Sequence, residues 1–212
     1  MAEAACRFPP FRMNDRIRLV EIPGPEVEPW LDALGRLRIT VFREFPYLYD
    51  GTPEYEREYL AVYRNCAESL IVMALDADGQ AVGATTCMPL AAESAEFHDP
   101  FERAGIDPGA FLYLGESVVL REHRGGGLGG EFFARRERHA RRLGLKSAAF
   151  CAVDRPGNHP LRPAEYRPLD GFWSRMGYTK RPELRASFSW KEIGEEAETP
   201  KTLTFWTKSW TA

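Results

Sequence analysis

The chain has 212 residues, 44% hydrophobic and 28% charged, values ordinary for a soluble globular protein that argue against intrinsic disorder. The longest apolar run, residues 70–75, is too short to span a bilayer, and residues 1–18 lack the apolar segment of a secretory signal. We therefore expect a cytoplasmic protein without a membrane partner, folded as a single domain over residues 1–212 with its core at about 15–210.

The charge is unevenly distributed along the chain. The net charge is −3 overall, but it is −9 over residues 1–110 and +6 over residues 111–212. The mildly acidic net charge of the chain argues against general nucleic-acid binding, whereas the basic second half favours contact with an anionic ligand. Four cysteines without a C-x-x-C pair give no support to a zinc or thioredoxin-type site, so no metal is expected.

The first half of the chain predicts a strand followed by two helices. An apolar pattern at residues 17–21 indicates the strand, and hydrophobic residues at three- to four-residue spacing indicate a helix over 27–44. Thr52 can cap the second helix, which would have Pro53 at its first position and end near Asn65.

The remaining elements predict a mixed sheet. We expect an antiparallel hairpin, an irregular segment with at most one short helix, a strand–helix–strand unit, a long loop, a short helix and two closing strands. The hairpin strands span residues 69–75 and 80–88, and the irregular segment spans 89–110. The strand–helix–strand unit covers 111–120, 128–143 and 147–153. The long loop is 154–168, the short helix 169–176, and the closing strands 185–193 and 203–210. The fold class is α/β: a mostly antiparallel sheet with a central β-α-β crossover.

A glycine-rich turn at residues 124–130 carries most of the functional information. Such a turn between a strand and a helix presents free backbone N–H groups and a positive helix end to an anion, usually a phosphate. A Walker loop is excluded because Gly130 is followed by Glu131 and Phe132. A dinucleotide fingerprint, a glycine turn without a ligand and an Arg-x-x-Gly-x-Gly turn all remain open on the residues alone.

Arg124-x-x-Gly127-x-Gly129, with its strand and helix, resembles the acyl-CoA pyrophosphate loop of the GNAT N-acetyltransferase superfamily. The helix end at 137–144 and the segment 172–178 are similar to that superfamily too. The order of elements agrees over about residues 15–210. The resemblance implies acetyl-CoA as the acyl donor and an amine as the usual acceptor.

The resemblance also implies which residues hold the cofactor. The backbone of the turn would bind the pyrophosphate, with Arg124 at its entrance, and the backbone of Val118 and Val119 would pair with the pantetheine arm. Asn158 stands where the family often places a further cofactor contact. The turn residues in this set are Gly125, Gly126, Gly127, Leu128, Gly129 and Gly130.

Acyl transfer to an amine requires a base, because an ammonium has no lone pair. Glu116 lies on the strand before the turn, where several family members carry a basic carboxylate, and burial in an apolar strand would raise its basicity. Where the family often places a tyrosine acid, this chain has Trp173, so Tyr166 in the long loop is the candidate to protonate the leaving thiolate. The alternatives are that Glu116 faces solvent on an edge strand and that Tyr166 only packs under the loop.

In this fold the acceptor site is usually lined by the first two helices and the loop between them. That loop contains Phe45, Tyr47, Tyr49 and Asp50. Aromatic rings with a carboxylate suit an amine that carries apolar or cationic groups, although tyrosines can equally pack over a core.

We therefore predict an acyl-CoA-dependent N-acyltransferase that transfers acetyl to a small-molecule or peptide amine. One alternative is a longer-chain acyltransferase of the acyl-homoserine-lactone-synthase type. The other is a sensor that binds acyl-CoA without transferring the acyl group. The acceptor cannot be read from the sequence, and a homodimer stays open.

Overall fold

A computed structural model describes residues 17–210. Its framework is one seven-stranded sheet with the spatial order β1-β2-β3-β4-β5-β7-β6. The strands are β1 Arg18–Pro23, β2 Leu70–Leu75, β3 Ala81–Pro89, β4 Phe111–Val119, β5 Ser147–Val153, β6 Thr179–Trp190 and β7 Thr199–Ser209. The helices are α1 Leu31–Phe42, α2 Pro53–Arg64, α3 Ala95–Arg103, α4 Leu128–Arg142 and α5 Asp170–Arg175.

The pairing of the strands confirms the predicted fold class. Every neighbouring pair is antiparallel except β4 and β5, which are parallel and are joined through α4. A parallel pair needs a crossover connection of this kind, whereas a tight turn suffices for the β2–β3 hairpin. The mixed sheet with a central β-α-β unit is therefore present as the sequence predicted.

Helices cover both faces of the sheet, and β2 shows the consequence. All six residues of β2 are buried. Alternate side chains, Leu70, Val72 and Ala74, pack with the core beneath α4, while the others pack with the core beneath α1 and α2. A strand buried on both faces reads as a continuous apolar run, which explains the segment 70–75.

Helix ends follow their local chemistry. The Thr52 hydroxyl accepts a hydrogen bond of 3.3 Å from the Tyr55 N–H, which confirms the predicted cap of α2. Gly144 and Gly177 follow α4 and α5 with φ of +74° and +88°, a conformation that favours glycine. No helix in the described range 17–210 is both long and apolar enough to cross a membrane.

Besides the strand predicted from residue 203, which begins at Thr199, the larger differences from the sequence prediction lie at three places, and proline explains two of them. The helix predicted from residue 27 begins at Leu31, because Pro29 has no N–H to donate and residues 24–30 form two short 3-10 turns instead. The strand predicted from residue 185 begins at Thr179, because a bulge and Pro182 interrupt its alternation. An edge strand such as β6 tolerates both. The third place is α3, a nine-residue helix within the segment predicted to be mostly irregular.

The three cysteines within residues 17–210 are free. Cys66, Cys87 and Cys151 form no disulfide. Burial raises the pKa of the Cys87 and Cys151 thiols to about 12, so both stay protonated near neutral pH. Cys6 lies outside the described residues.

Candidate active site

Strands β4 and β5 separate after only three paired residues. The parallel ladder joins residues 111–113 to 147–149 and then stops, so the rest of β4 has no partner on that side. The Leu120 N–H bonds the Val82 carbonyl. By the alternation of an antiparallel ladder, Val118 then directs its backbone groups toward β3, whereas Val119 directs them into the opening. Of the two valines predicted to pair with a cofactor, only Val119 therefore faces the cleft with its backbone.

A β-bulge lies where the two strands separate. Thr85 pairs with Ser117 and Cys87 pairs with Leu114, so Gly115 and Glu116 together oppose the single residue Thr86. A bulge redirects the side chains that follow it. Leu114, before the bulge, packs beneath α4, whereas Val118, after it, packs beneath α1 and α2. Glu116 is 4% exposed, so the solvent-facing alternative for this residue is wrong.

The glycine turn stands at the open end of the cleft, before α4. Gly125 and Gly127 have φ of +79° and +86°, and the Gly127 carbonyl accepts the first bonds of the helix, from Gly130 and Glu131. Among the described residues, no protein group accepts a hydrogen bond from the N–H groups of residues 125–129. These donors and the positive end of the helix suit an anion.

Arg124 at the entrance of the turn is held from both sides. Its Nε donates 2.8 Å to the Val119 carbonyl, and its two terminal nitrogens donate 2.8 and 3.0 Å to the Glu44 carboxylate. The guanidinium therefore ties the end of α1 to the turn. Asn158 is exposed in the loop after β5.

A cavity of about 420 Å³ lies on the α1 and α2 side of the sheet, at the inner end of the cleft; we call it the aromatic cavity. Tyr113 and Gly115 of β4 and Cys151 of β5 line it, so it reaches the gap between those strands. Its further lining consists of Arg38, Phe42, Tyr47, Tyr49, Tyr55, Tyr59, Ser94, Glu96, Phe97, Glu116, Phe188, Ser189, Trp190 and Leu203.

Two of the four residues predicted to receive the acceptor line this cavity, and two do not. Tyr47 and Tyr49 face it. Phe45 instead packs edge-on against Tyr166, with ring centroids 4.6 Å apart. Asp50 pairs with Arg43 at 2.8 Å and also with Lys191, and these cations lower the pKa of its carboxyl. The carboxylates that line the cavity are Glu116 and Glu96.

Glu116 belongs to a buried charged network. One of its oxygens accepts from Arg38, and the other accepts from the Tyr63 hydroxyl at 2.9 Å and from the Thr86 hydroxyl. Arg38 also pairs with Glu56, which is 1% exposed. A buried carboxylate needs such partners, because removal of a charge from water is costly without them.

Sequence reasoning missed Glu93, which lies in the segment between β3 and α3. It is half-buried, and burial, together with the charge of Glu116, raises the pKa of its carboxyl to about 7. Burial raises the pKa of Tyr59, Tyr113 and Cys151, which all line the aromatic cavity, and the charge of Glu93 adds to each of these shifts. The only sequence signal was its position after a buried strand.

The raised pKa of Glu93 has a consequence for stability. An unfolded chain loses this proton near pH 4.5 and the folded chain near pH 7, so folding becomes less favourable as pH rises through that window. We expect Glu93→Gln to melt at a higher temperature than the parent at pH 8, with the difference vanishing below about pH 4.5. Thermal unfolding across this range tests it. The exposed Glu122→Gln is the control, and an equal pH-dependence in both variants would contradict the assignment.

Tyr166 and Trp173 do not join Glu116 in the aromatic cavity. Tyr166 is half-buried beside Phe45 and lines a second cavity of about 780 Å³ near the end of β5. Trp173 packs in the core against Phe150 and Trp206, with ring centroids 5.1 and 5.2 Å away. The phenol closest to the gap is instead Tyr113, whose hydroxyl lies 3.3 Å from the Cys151 sulfur.

Comparison with known proteins identifies the family. The model of the acetyltransferase (GNAT) family matches residues 36–164, more than half of the chain. The ribosomal-protein-alanine N-acetyltransferase of Brucella melitensis is 17% identical with a TM-score of 0.56, covering 92% of this chain and 99% of that one. A GNAT-family acetyltransferase of Staphylococcus aureus is 9% identical with a TM-score of 0.56, covering 91% and 98%. An acetyltransferase of Streptococcus agalactiae is 11% identical with a TM-score of 0.56, covering 92% and 99%.

At these identities the solved structures show the fold alone, and a search of curated proteins finds no match. The family model carries the assignment further, because it spans the second half of α1, the glycine turn and the separated strands. The chain belongs to the GNAT acetyltransferase family.

Proposed function

We propose that this protein transfers an acetyl group from acetyl-CoA to an amine bound in the aromatic cavity. One observation carries the proposal: the gap between β4 and β5 has the free N–H groups of the glycine turn at its open end and the aromatic cavity at its inner end. A thioester laid along the gap would meet an amine at the bulge.

The glycine turn and β4 support acetyl-CoA as the donor. Backbone N–H groups of residues 125–129 would hold the pyrophosphate with the dipole of α4. Gly130, which the sequence also predicts as a cofactor contact, already donates its N–H to the Gly127 carbonyl at 2.9 Å. The N–H of Val119, whose carbonyl already accepts from Arg124, and by alternation the backbone of Ser117 would pair with the pantetheine arm. Arg124 would have to share its guanidinium between Glu44 and a phosphate, because Glu44 already occupies both terminal nitrogens.

Two carboxylates support removal of the amine proton. Glu116 touches the cavity at the bulge and can receive an ammonium, but each of its oxygens already accepts a hydrogen bond. Glu93 has the pKa of about 7 that suits a base at neutral pH. We therefore assign Glu116 to hold the amine and to accept its proton directly or through one water. Glu93 does not line the cavity, but its charge is coupled to that of Glu116, and we assign it to store that proton near neutral pH.

Two phenols compete to protonate the leaving thiolate. Tyr113 borders the gap, and burial raises its pKa well above the ordinary value, so its hydroxyl stays protonated near neutral pH and has a proton to donate. We expect Tyr113→Phe to lower turnover roughly tenfold without weakening acetyl-CoA binding, since the lost bond forms mainly in the transition state. Tyr166→Phe, the variant that the sequence singles out, is measured beside it. If only Tyr166→Phe lowered turnover, Tyr166 rather than Tyr113 would be the residue that protonates the thiolate.

Thiol release from acetyl-CoA with a panel of primary amines tests the function directly. Mass spectrometry of the products identifies the acetylated acceptor. Acetyl-CoA binding without acetylation of any amine would favour the sensor instead. Absence of acetyl-CoA binding by calorimetry would overturn both.

A further inference from the structure

We infer that the acceptor is an aromatic or otherwise apolar amine that carries no carboxylate near its amino group. The inference rests on the proposed function and narrows it to a substrate class. It follows from three features of the aromatic cavity: its neutralised arginine, its excess of carboxylates and its aromatic walls.

The arginine of the cavity is not available to a substrate carboxylate. Arg38 is the one cation among the described residues that line the cavity. Its Nε donates to Glu56 at 2.5 Å and one terminal nitrogen donates to Glu116, while its guanidinium carbon lies 4.4 Å from the ring centroid of Tyr59. Only 8% of Arg38 is exposed. An amino-acid carboxylate would need this guanidinium, and two carboxylates already hold it.

The charges around the cavity leave a negative excess. Glu96 and Glu116 line the walls, and Glu56 lies behind Arg38. Against these three carboxylates stands the single guanidinium, so the four groups together carry a net charge of −2. The cations behind Tyr47 and Trp190 do not offset it, because Arg155 pairs with Glu192 and Lys201 pairs with Glu195. Such a site attracts an ammonium and repels a carboxylate.

The walls suit an apolar body. Nine of the lining side chains are aromatic: Phe42, Tyr47, Tyr49, Tyr55, Tyr59, Phe97, Tyr113, Phe188 and Trp190. Aromatic rings bind cations through their faces and pack well against other rings. A volume of about 420 Å³ lies within the range of roughly 300–1,000 Å³ of small-molecule sites.

Three probes that share a phenyl ring and an amino group test the inference: 2-phenylethylamine, L-phenylalaninamide and L-phenylalanine. They are titrated calorimetrically into the full chain with coenzyme A present, at a pH where every amino group is protonated. We expect 2-phenylethylamine and the amide to bind, and L-phenylalanine to bind roughly tenfold or more weakly than the amide. The amide controls for size, because it matches the amino acid in shape and lacks its negative charge.

Two variants test whether the charge balance is the cause. Glu56→Gln removes one carboxylate from Arg38, and Glu96→Gln removes one from the exposed part of the cavity wall; each should reduce the discrimination against L-phenylalanine several-fold. Glu96 is exposed, so Glu96→Gln should fold and can still test the inference if Glu56→Gln does not fold. Equal binding of L-phenylalanine and its amide to the parent protein would overturn the inference. It would also be overturned if neither 2-phenylethylamine nor L-phenylalaninamide bound. Because binding is measured without transfer, absence of acetylation bears on the proposed function alone.

Discussion

Glu116→Gln is expected to lower turnover by roughly 10²–10⁴-fold while acetyl-CoA affinity stays within a few-fold of the parent. Glutamine keeps the shape of the side chain and can still accept from Tyr63 and Thr86, but it carries no charge for Arg38 or for an ammonium. In the proposed site, backbone groups of the glycine turn and of β4 would hold the cofactor, so its binding should not depend on this carboxylate. Steady-state kinetics and calorimetry separate the two effects.

The variant also disrupts a buried ion pair, so it needs a control of equal structural severity. Glu137 offers one: it is 7% exposed, pairs with Lys208 at 2.7 Å and accepts from Tyr178 at 3.2 Å, on the α4 side of the sheet. Removal of one partner of such a pair costs about 3–5 kcal/mol. Glu137→Gln should therefore lose stability and retain activity. A folded Glu116→Gln variant with nearly full turnover would show that the residue is structural.

The dependence of kcat/KM on pH shows which of the two carboxylates, Glu93 or Glu116, takes up the proton of the amine. With Glu93 as the group that stores it, kcat/KM of the parent should fall as pH drops below about 7. Glu93→Gln should remove that decline and lower the rate at neutral pH, whereas Glu116→Gln should lower the rate at every pH. If the decline persists in Glu93→Gln and disappears in Glu116→Gln, Glu116 alone is the base.

The features that the sequence predicted correctly are those that short segments determine. The cap at Thr52, the turn between β2 and β3 and the stop at Gly144 all depend on a few adjacent residues. The glycine turn belongs to the same class, since its conformation arises from its own glycines. The crossover follows because the strand before this turn and the strand after α4 lie side by side.

The features that sequence reasoning missed depend on contacts between distant segments. Arg38 and Glu116 are 78 residues apart, and nothing in either segment reveals the other. The pKa of Glu93 depends on burial and on Glu116, a residue that it meets only in the folded chain. The place of Asp50 in the loop between the first two helices predicts contact with the acceptor, but its carboxylate instead pairs with two cations within 3.3 Å, Arg43 and Lys191. Tertiary partners, rather than residue types, decide which polar groups stay available.

Gly127→Val is expected to weaken acetyl-CoA binding by roughly 5- to 30-fold or more. The φ of +86° at Gly127 costs a residue with a side chain about 1–2 kcal/mol, so the turn would relax and its N–H groups would no longer converge. The branched side chain adds bulk beside the helix end that faces the phosphates. Gly129→Val is a poorer test, because a Cβ there would meet the Phe172 ring at 3.2 Å and disturb packing as well.

Gly144→Val provides the matched control for this prediction. Gly144 has a φ of +74° at the opposite end of the same helix, and a Cβ built there meets nothing within 4 Å. Both variants therefore carry a similar backbone strain, but only one carries it in the proposed phosphate site. Calorimetric titration with acetyl-CoA should show a loss for Gly127→Val and parent-like affinity for Gly144→Val. Equal affinities in the two folded variants would show that the glycine turn is not part of the cofactor site. The affinity for a pyrophosphate held by backbone N–H groups must depend on the backbone conformation that orients them.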